Sequence, residues 1–358
     1  MKILHVSHAS LPDVRVERYA YITRKYGYES FFVGPDINGF ALGDLFVKKY
    51  KIHFTKAANI GLQPSWSRLK MEFKKVIQDC KPDIIHAHDI IAGKLASEFK
   101  IPFIYDDHEY WSMQGKIMQK RKISHIYRRA VWSVWERQIL SKAHAIITVS
   151  DSIANAHRRF HRHVYVIPNF PTLYEVENLK IVKRSKNMLS SIAIGKFSTY
   201  SPPHRRVDGF LELFRKNQIG LLTVIGDNYL PTKHPIYSKG FLSHNEVLRE
   251  LTKHHFGIIP FRRHWYHKYS CPNKAFEYIH AGLPVLLASD YENVIKILGK
   301  FCIPFYNYEE LVQILLYYKN ALDEVIDLGI KVMLYARSEL ILERYEKRLI
   351  SAYKYASN

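Results

Sequence analysis

The sequence predicts an α/β protein built from two Rossmann-like, doubly wound domains. Short apolar runs rich in Ile, Val and Leu alternate with amphipathic stretches, which is the pattern of a parallel sheet covered on both faces by helices. That rhythm runs twice, broken by Pro168–Lys186, a stretch with Pro168, Pro171 and a charged run but no clear period. The length of 358 residues agrees: domains average roughly 150 residues, and each half is long enough to bury a core.

The elements follow in order. Lys2–Val6 is apolar and β-prone, too short for a secretory signal, and reads as the first strand. Val14–Tyr26 has helical spacing and Ser30–Val33 is again a strand. After an irregular region, Trp66–Asp79 is helical, Asp83–Ala87 a strand, Ile90–Phe99 a helix and Ile101–Tyr105 a strand. One long basic helix is expected over Ile117–Ser141, then a strand at Ala145–Val149, a helix from Asp151 and a strand at Val164–Ile167. The rhythm restarts with strands Ser191–Gly195, Leu221–Gly226, Phe256–Pro260 and Pro284–Ala288. The tail from Lys331 reads as one or two helices. The domains are therefore expected at 1–170 and 171–337, with a C-terminal helix at about 338–358 packing back on the first.

Apolar residues make up 47% and charged residues 24% of the chain, the balance of a folded protein. Lys and Arg number 53 against 33 Asp and Glu, a formal charge of +20. Nucleic acid, an anionic membrane surface, phosphorylated small molecules or a merely solvated basic surface would each account for it. Three scattered cysteines, Cys80, Cys271 and Cys302, form no CxxC pair. That argues against a disulfide framework and a structural zinc site, and for a reducing compartment. No run of about 18 apolar residues is present to cross a membrane.

Ligands of open α/β sheets bind at the carboxyl ends of the strands. Two strands of the first domain end in polar clusters, His86-Ala87-His88-Asp89 and Asp106-Asp107-His108-Glu109. Together they concentrate acid–base capacity in one crevice. Solvated loop residues or helix caps are the alternative, with Asp89 placed to cap the helix that follows. The spacing matches no metal-ligand signature.

In the second domain Pro272 suits a helix start, and a helix there offers free N–H groups and partial positive charge to a phosphate. Lys274 lies in its first turn, next to Asn273, and Glu277 follows on the same face, where a carboxylate can accept two hydroxyls of a ribose. An ordinary connecting helix with an exposed Lys/Glu pair is the alternative. Lys196, Arg205 and Arg206 follow the domain's first strand, and Gly226 follows another, where backbone can approach a ligand closely. None of these is a Walker A loop or a full G-x-G-x-x-G.

These residues together resemble glycosyltransferase family 4, nucleotide-sugar enzymes of the GT-B architecture, in which two Rossmann-like domains face each other across a cleft. The most specific segment is Pro272–Asp290, supported by Asp83–Asp89, Ile104–Trp111, Ile147–Ser152 and Val166–Phe170. The opening Leu11–Ser30, which contains Arg15, resembles the family's first loop and helix without the double glycine of many members. The resemblance implies a retaining, metal-independent transfer with no cofactor beyond the nucleotide-sugar co-substrate. It implies donor binding on the C-terminal domain by Glu277, Lys274, Asn273, Arg206, Gly226 and Tyr269. It makes His108, Lys196 and Arg205 the catalytic group, and it puts Arg15, His88, Asp107 and Glu109 on the acceptor side. Many members carry a second glutamate eight residues before the first; here that position is Tyr269. A tyrosine can bond a sugar hydroxyl but supplies no carboxylate. A non-catalytic sugar-nucleotide or polyanion-binding protein on the same fold is therefore the alternative.

Lys116–Lys142 combines many Lys and Arg residues, including Lys120, Arg121 and Lys122, with Trp132 and Trp135, and His157–His163 extends the charge. A basic amphipathic helix whose tryptophans face the lipid is expected to contact an anionic membrane surface. That matches the glycan or polyprenyl-linked sugar acceptors of similar enzymes and a peripheral, cytoplasmic location on the inner face of the cell membrane. Packing of this helix on the sheet with a solvated basic face is the alternative. No RNA- or DNA-binding signature appears, so nucleic acid is not an expected partner.

Overall fold

The computed structural model describes residues 1–117, 123–180, 182–197 and 202–357. The chain divides into two compact units: Met1–Pro168 with Tyr345–Asn358, and Asn169–Arg344.

Unit 1 is built on seven parallel strands: β1 (Lys2–Ser7), β2 (Glu29–Gly34), β3 (Lys48–Lys51), β4 (Ile84–His88), β5 (Phe103–Asp107), β6 (Ala145–Thr148) and β7 (Val164–Val166). Their order is β3-β2-β1-β4-β5-β6-β7. The order reverses between β1 and β4, and a crevice opens at such a reversal, outside the carboxyl ends. β4, β5 and β6 are buried along their whole length, so β6 and the first residues of β4 and β5 read as apolar, and the polar residues that end β4 and β5 are buried as well. The helices are α1 (Val14–Lys25), α2 (Ser65–Cys80), α3 (Asp89–Ala96), α4 (Trp111–Ile117), α5 (Ile123–Lys142) and α6 (Asp151–His157). Asp13 starts α1 by accepting from the backbone N–H of Arg15 (3.1 Å) and Val16 (3.3 Å).

Of the expected basic helix the described residues form α5, and its tryptophans are core residues. Trp132 and Trp135 are 5% and 7% exposed. Trp132 packs edge-on to Trp111 at 4.9 Å, and Trp135 lies 5.1 Å from Trp66. The 3.6-residue period of α5 puts both with Ile139 and Leu140 on the buried face. The exposed face carries Ile126, Tyr127 and Val134, with Arg129 and Arg137 beside them. Lys120, Arg121 and Lys122 lie outside the described residues.

Unit 2 has six parallel strands: β8 (Ser190–Ile194), β9 (Leu221–Ile225), β10 (Ile236–Ser238), β11 (Phe256–Ile259), β12 (Val285–Ala288) and β13 (Cys302–Phe305). Their order is β10-β9-β8-β11-β12-β13, reversing between β8 and β11. Around them lie α7 (Leu173–Val176), α8 (Phe210–Asn217), α9 (His244–Leu251), α10 (Asn273–His280), α11 (Glu292–Leu298), α12 (Tyr308–Lys319) and α13 (Leu322–Glu339). The chain then returns to unit 1 as α14 (Glu346–Ser357), which packs against β4, β5, β6 and β7. Among the described residues no helix is long and apolar enough to cross a membrane.

Candidate active site

In unit 1 the register sets the site. His88 at the end of β4 pairs with Asp106 on β5, and His5 on β1 pairs with His86. Residues two apart on a strand share a face, so His86 and His88 stack, with ring centroids 4.3 Å apart. His88 Nε2 lies 3.1 Å from His5 Nδ1, and His86 Nδ1 meets the Tyr353 hydroxyl of α14 at 2.5 Å. All three imidazoles are fully buried, and burial pushes each below the usual histidine range, His86 to about 3.

Asp106, with no exposure, is gripped by Arg15: Nε donates to Oδ2 at 2.9 Å and Nη2 to Oδ1 at 2.8 Å. Arg15 also donates to the Ile167 carbonyl at 3.2 Å. Burial would raise the Asp106 carboxyl, but Arg15 and His108 outweigh it and hold it well below the carboxylate range. His108, 15% exposed in its side chain, donates Nε2–H to Asp106 at 2.8 Å. Its other nitrogen, Nδ1, lies 3.6 Å from Asp89. Burial lowers its pKa, yet Asp89 and Asp106 overcome this and bring it to about 9.

Asp89 does not cap α3. His88 occupies the cap position, and Asp89 has φ +67°, a left-handed conformation that Asp tolerates better than most residues. Its carboxylate instead accepts from Trp111 Nε1 (2.8 Å) and the His108 backbone N–H (3.2 Å), tying the two strand ends together. Such a conformation costs about 1–3 kcal/mol and persists where the surroundings enforce it. Burial pushes the Asp89 carboxyl up to about 6.

Arg15, His88 and Asp107, expected on the acceptor side, are interior residues, 4%, 0% and 0% exposed. Successive strand residues point to opposite faces, and here both faces are covered. Asp107 faces away from Asp106 and accepts from His157 Nε2 at 2.7 Å and the Tyr105 hydroxyl at 3.1 Å. His108 and Glu109 remain at the rim, Glu109 accepting from Gln114.

Among the described residues three groups have ligand atoms near enough together to hold a metal: His5/His86/His88, His88/Asp106/His108 and Asp107/Glu136/His157. The first is a near-parallel stack, with the His86 and His88 planes 18° apart, so their in-plane lone pairs do not converge. In the second the Arg15 cation already takes both Asp106 oxygens. The third is interior and hydrogen-bonded within itself.

In unit 2 the site is built on α10. Tyr278 locks this helix across the sheet: its hydroxyl accepts from the Ile194 N–H of β8 (3.1 Å) and donates to the Ile258 carbonyl of β11 (3.4 Å). Gly257 makes this possible, since a Cβ there would lie 2.2 Å from the Tyr278 ring. At the other end Arg184 donates to the Ala281 and Gly282 carbonyls, ending α10 as Gly282 takes φ +78°. The N-terminus of α10 therefore sits at the reversal between β8 and β11. Pro272 is its cap residue, one position earlier than expected.

Lys274 Nζ donates to the Ile194 carbonyl at 2.6 Å, which fixes its ammonium at the end of β8. Burial, with help from the Arg205 charge, lowers it to about 8. Asn273 Oδ1 is buried and has no hydrogen-bond partner among the described residues. Glu277 is 7% exposed, so the alternative of an exposed Lys/Glu pair fails. Lys196 is exposed just past β8. Of the two arginines, Arg205 bears electrostatically on Lys274, His204, His267 and Tyr291, whereas Arg206 pairs with Asp208 at 2.7 Å on an exposed surface. Gly226 has φ +93°, which a side chain would strain. Tyr269 closes a short 3-10 turn, Trp265–Tyr269, and is half-buried.

His267 lies in the Arg262–Ser270 segment, rich in Arg, His and aromatic residues, that the sequence offers as a sugar pocket, whereas sequence reasoning missed His204, Asp227, Asn228, Tyr229 and Phe241. His267 stacks on Tyr291 at 4.2 Å and donates Nε2–H to the His204 carbonyl at 2.7 Å, while Nδ1 of both His204 and His267 is buried with no partner among the described residues. Asp227, 2% exposed, accepts from the N–H of Phe197 and Tyr229. Asn228 accepts from the Phe241 N–H at 2.9 Å. Together they hold Phe241, 63% exposed and facing the Lys196 ammonium, and Tyr229, 82% exposed. Exposed aromatics held on a braced turn have no period to betray them; the Gly-Asp following a strand was the only signal.

Comparison with known proteins agrees with this architecture. Residues 24–171 match the sequence profile of Glycosyltransferase Family 4. A search of curated protein sequences finds no match. Among solved structures, sucrose-phosphate synthase from Thermosynechococcus elongatus is similar with TM-score 0.72 at 12% identity, over 99% of this chain and 98% of that one. Anabaena HepE in complex with UDP and glucose gives 0.68 at 12% identity, over 99% of each chain. WaaG, a glycosyltransferase involved in lipopolysaccharide biosynthesis, gives 0.65 at 13%, over 97% of this chain and 99% of that one. The chain has the GT-B fold, two Rossmann-like units with parallel sheets.

Proposed function

We propose that this chain, a family 4-like glycosyltransferase of the GT-B fold, moves a hexose from a nucleotide-diphosphate sugar to a glycan or lipid-linked acceptor, with retention and without a bound metal. One observation carries the donor half of this reading. At the strand reversal of unit 2, Lys274, Arg205, Lys196 and the N-terminus of α10 gather positive charge, and the Glu277 carboxylate lies one turn along. A diphosphate meets the cations and helix end, and a ribose meets the carboxylate. The exposed Phe241 and Tyr229 rings offer a base a stacking surface. The Anabaena protein's complex with UDP and glucose supports a nucleotide-sugar donor.

In the reaction the bond from the anomeric carbon to the diphosphate oxygen breaks, and its electron pair stays on that oxygen. The acceptor oxygen bonds to the anomeric carbon, and its proton passes to the departing diphosphate. Fixed cations at the developing charge do the work a metal does elsewhere. The acceptor is assigned to unit 1, at His108 and Glu109.

The acceptor-side location is read as peripheral, on an anionic membrane surface at the cytoplasmic face. Its support is the +20 charge and the exposed Ile126–Tyr127–Val134 stripe of α5 flanked by arginines, in place of the tryptophans expected there.

A thermal-shift panel of UDP-, GDP- and dTDP-sugars tests the donor half, because a ligand that binds the native state raises its stability. One nucleotide series should raise Tm in the parent and not in Glu277→Gln. No shift with any sugar nucleotide, or an equal shift in the variant, overturns it. Donor hydrolysis without acceptor separates an enzyme from a binder, which releases no sugar.

A further inference from the structure

We propose that His108 acts as a fixed imidazolium and not as a proton acceptor, and that Asp106, Asp89 and Arg15 are the positioning residues that keep it so. The inference rests on the reading of His108 as an acceptor-side residue only for its catalytic meaning; the charge state itself stands on geometry.

A carboxylate faces each ring nitrogen. Nε2 is hydrogen-bonded to Asp106 Oδ2 at 2.8 Å, and Nδ1 lies at ion-pair distance, 3.6 Å, from Asp89 Oδ2. A neutral imidazole has one N–H and one lone pair, so either tautomer would set a lone pair against a carboxylate. Only the doubly protonated ring satisfies both sides. The carboxylates cannot turn away. Arg15 holds Asp106 by two bonds, and Asp89 is held by Trp111 and by the His108 backbone.

Among the described residues, the other titratable groups near the ring leave it protonated. From α1, the Arg15 cation opposes the charge but spends its bonds on Asp106 and Ile167. From β4, His88 lies 3.4 Å from Nε2, and after β1 stands His8; burial holds both below the ordinary histidine range, so neither adds charge near neutral pH. Glu109, the next residue, is a further carboxylate. With Asp89 at about 6 and His108 at about 9, both carboxylates and the imidazolium coexist between those values. A ring already protonated there has no lone pair for an acceptor hydroxyl, so the hydroxyl's proton leaves by another route, which the departing diphosphate supplies.

The test needs no substrate. The full chain labelled with 15N-histidine is followed by long-range 15N–1H correlation from about pH 5.5 to 10, a range spanning ordinary and raised histidine pKa values. The His108 signals are identified by their loss in His108→Gln. The expected result is an imidazolium pattern near neutral pH with a midpoint well above that of the exposed histidines. Asp106→Asn and Asp89→Asn should each lower that midpoint, and Asp89→Asn, at a half-buried position, serves if the first variant does not fold. A neutral His108 tautomer near pH 7, or a midpoint unmoved by the variants, overturns the proposal. Either outcome is independent of the donor panel, so the two readings fail separately.

Discussion

Replacing Arg15 with Met should destabilise unit 1 strongly. Arg15 and Asp106 are 4% and 0% exposed and share two hydrogen bonds. Removing one partner of a buried ion pair leaves the other charge uncompensated, at a cost of about 3–5 kcal/mol. The Ile167 carbonyl also loses its donor. His108 at 2.8 Å still offers Asp106 a cation, so the lower end of that range, about 3 kcal/mol, is expected. Urea unfolding followed by tryptophan fluorescence is the assay. Trp66, Trp111, Trp132 and Trp135 lie in unit 1 and Trp265 alone in unit 2, so the signal reports chiefly on unit 1. The double variant Arg15→Met/Asp106→Asn removes both charges and should recover much of the loss, giving a coupling of about 2 kcal/mol or more. A single variant within about 1 kcal/mol of the parent, or strictly additive effects, would refute the buried pair as an energetic unit.

Turnover should survive EDTA; loss on chelation with recovery by magnesium or manganese would reassign the phosphate charge to a metal and direct attention to the Asp/Glu/His groups of unit 1. Binding to vesicles containing anionic lipid should weaken with salt, and Ile126→Glu/Val134→Glu should reduce it about tenfold or more, since two exposed apolar groups and the local charge are reversed together. Parent-like vesicle binding would make the α5 stripe an ordinary solvated face, and donor binding in unit 2 should be unchanged in the same variant.

The sequence by itself determined the class of fold and the neighbourhoods of chemistry. β1, β4, β5, β8, β9, β11 and β12 were legible because a strand covered on both faces carries a largely apolar run, a signal contained in a few consecutive residues. β3, β10 and β13 were not. Lys48–Lys51 is charged at a sheet edge, Ile236–Ser238 is three residues long and Cys302–Phe305 contains Pro304. The polar strand ends at 86–89 and 106–109 and the Lys274/Glu277 helix were likewise visible, because position along a strand or helix is a local property.

Only the tertiary structure decided which of these residues are buried, and by what partners. His86 is sealed by Tyr353, 267 residues away on the returning α14, and Asp106 by Arg15, 91 residues earlier. Glu277 is 7% exposed, and Arg205 bears on Lys274 while Arg206 pairs with Asp208. In α5 the sequence shows an amphipathic helix with tryptophans, but their partners Trp66 and Trp111 made the tryptophan face the core face. Periodicity records that a helix has two faces. Which face is dry depends on what packs against it, and that information lies in residues remote along the chain.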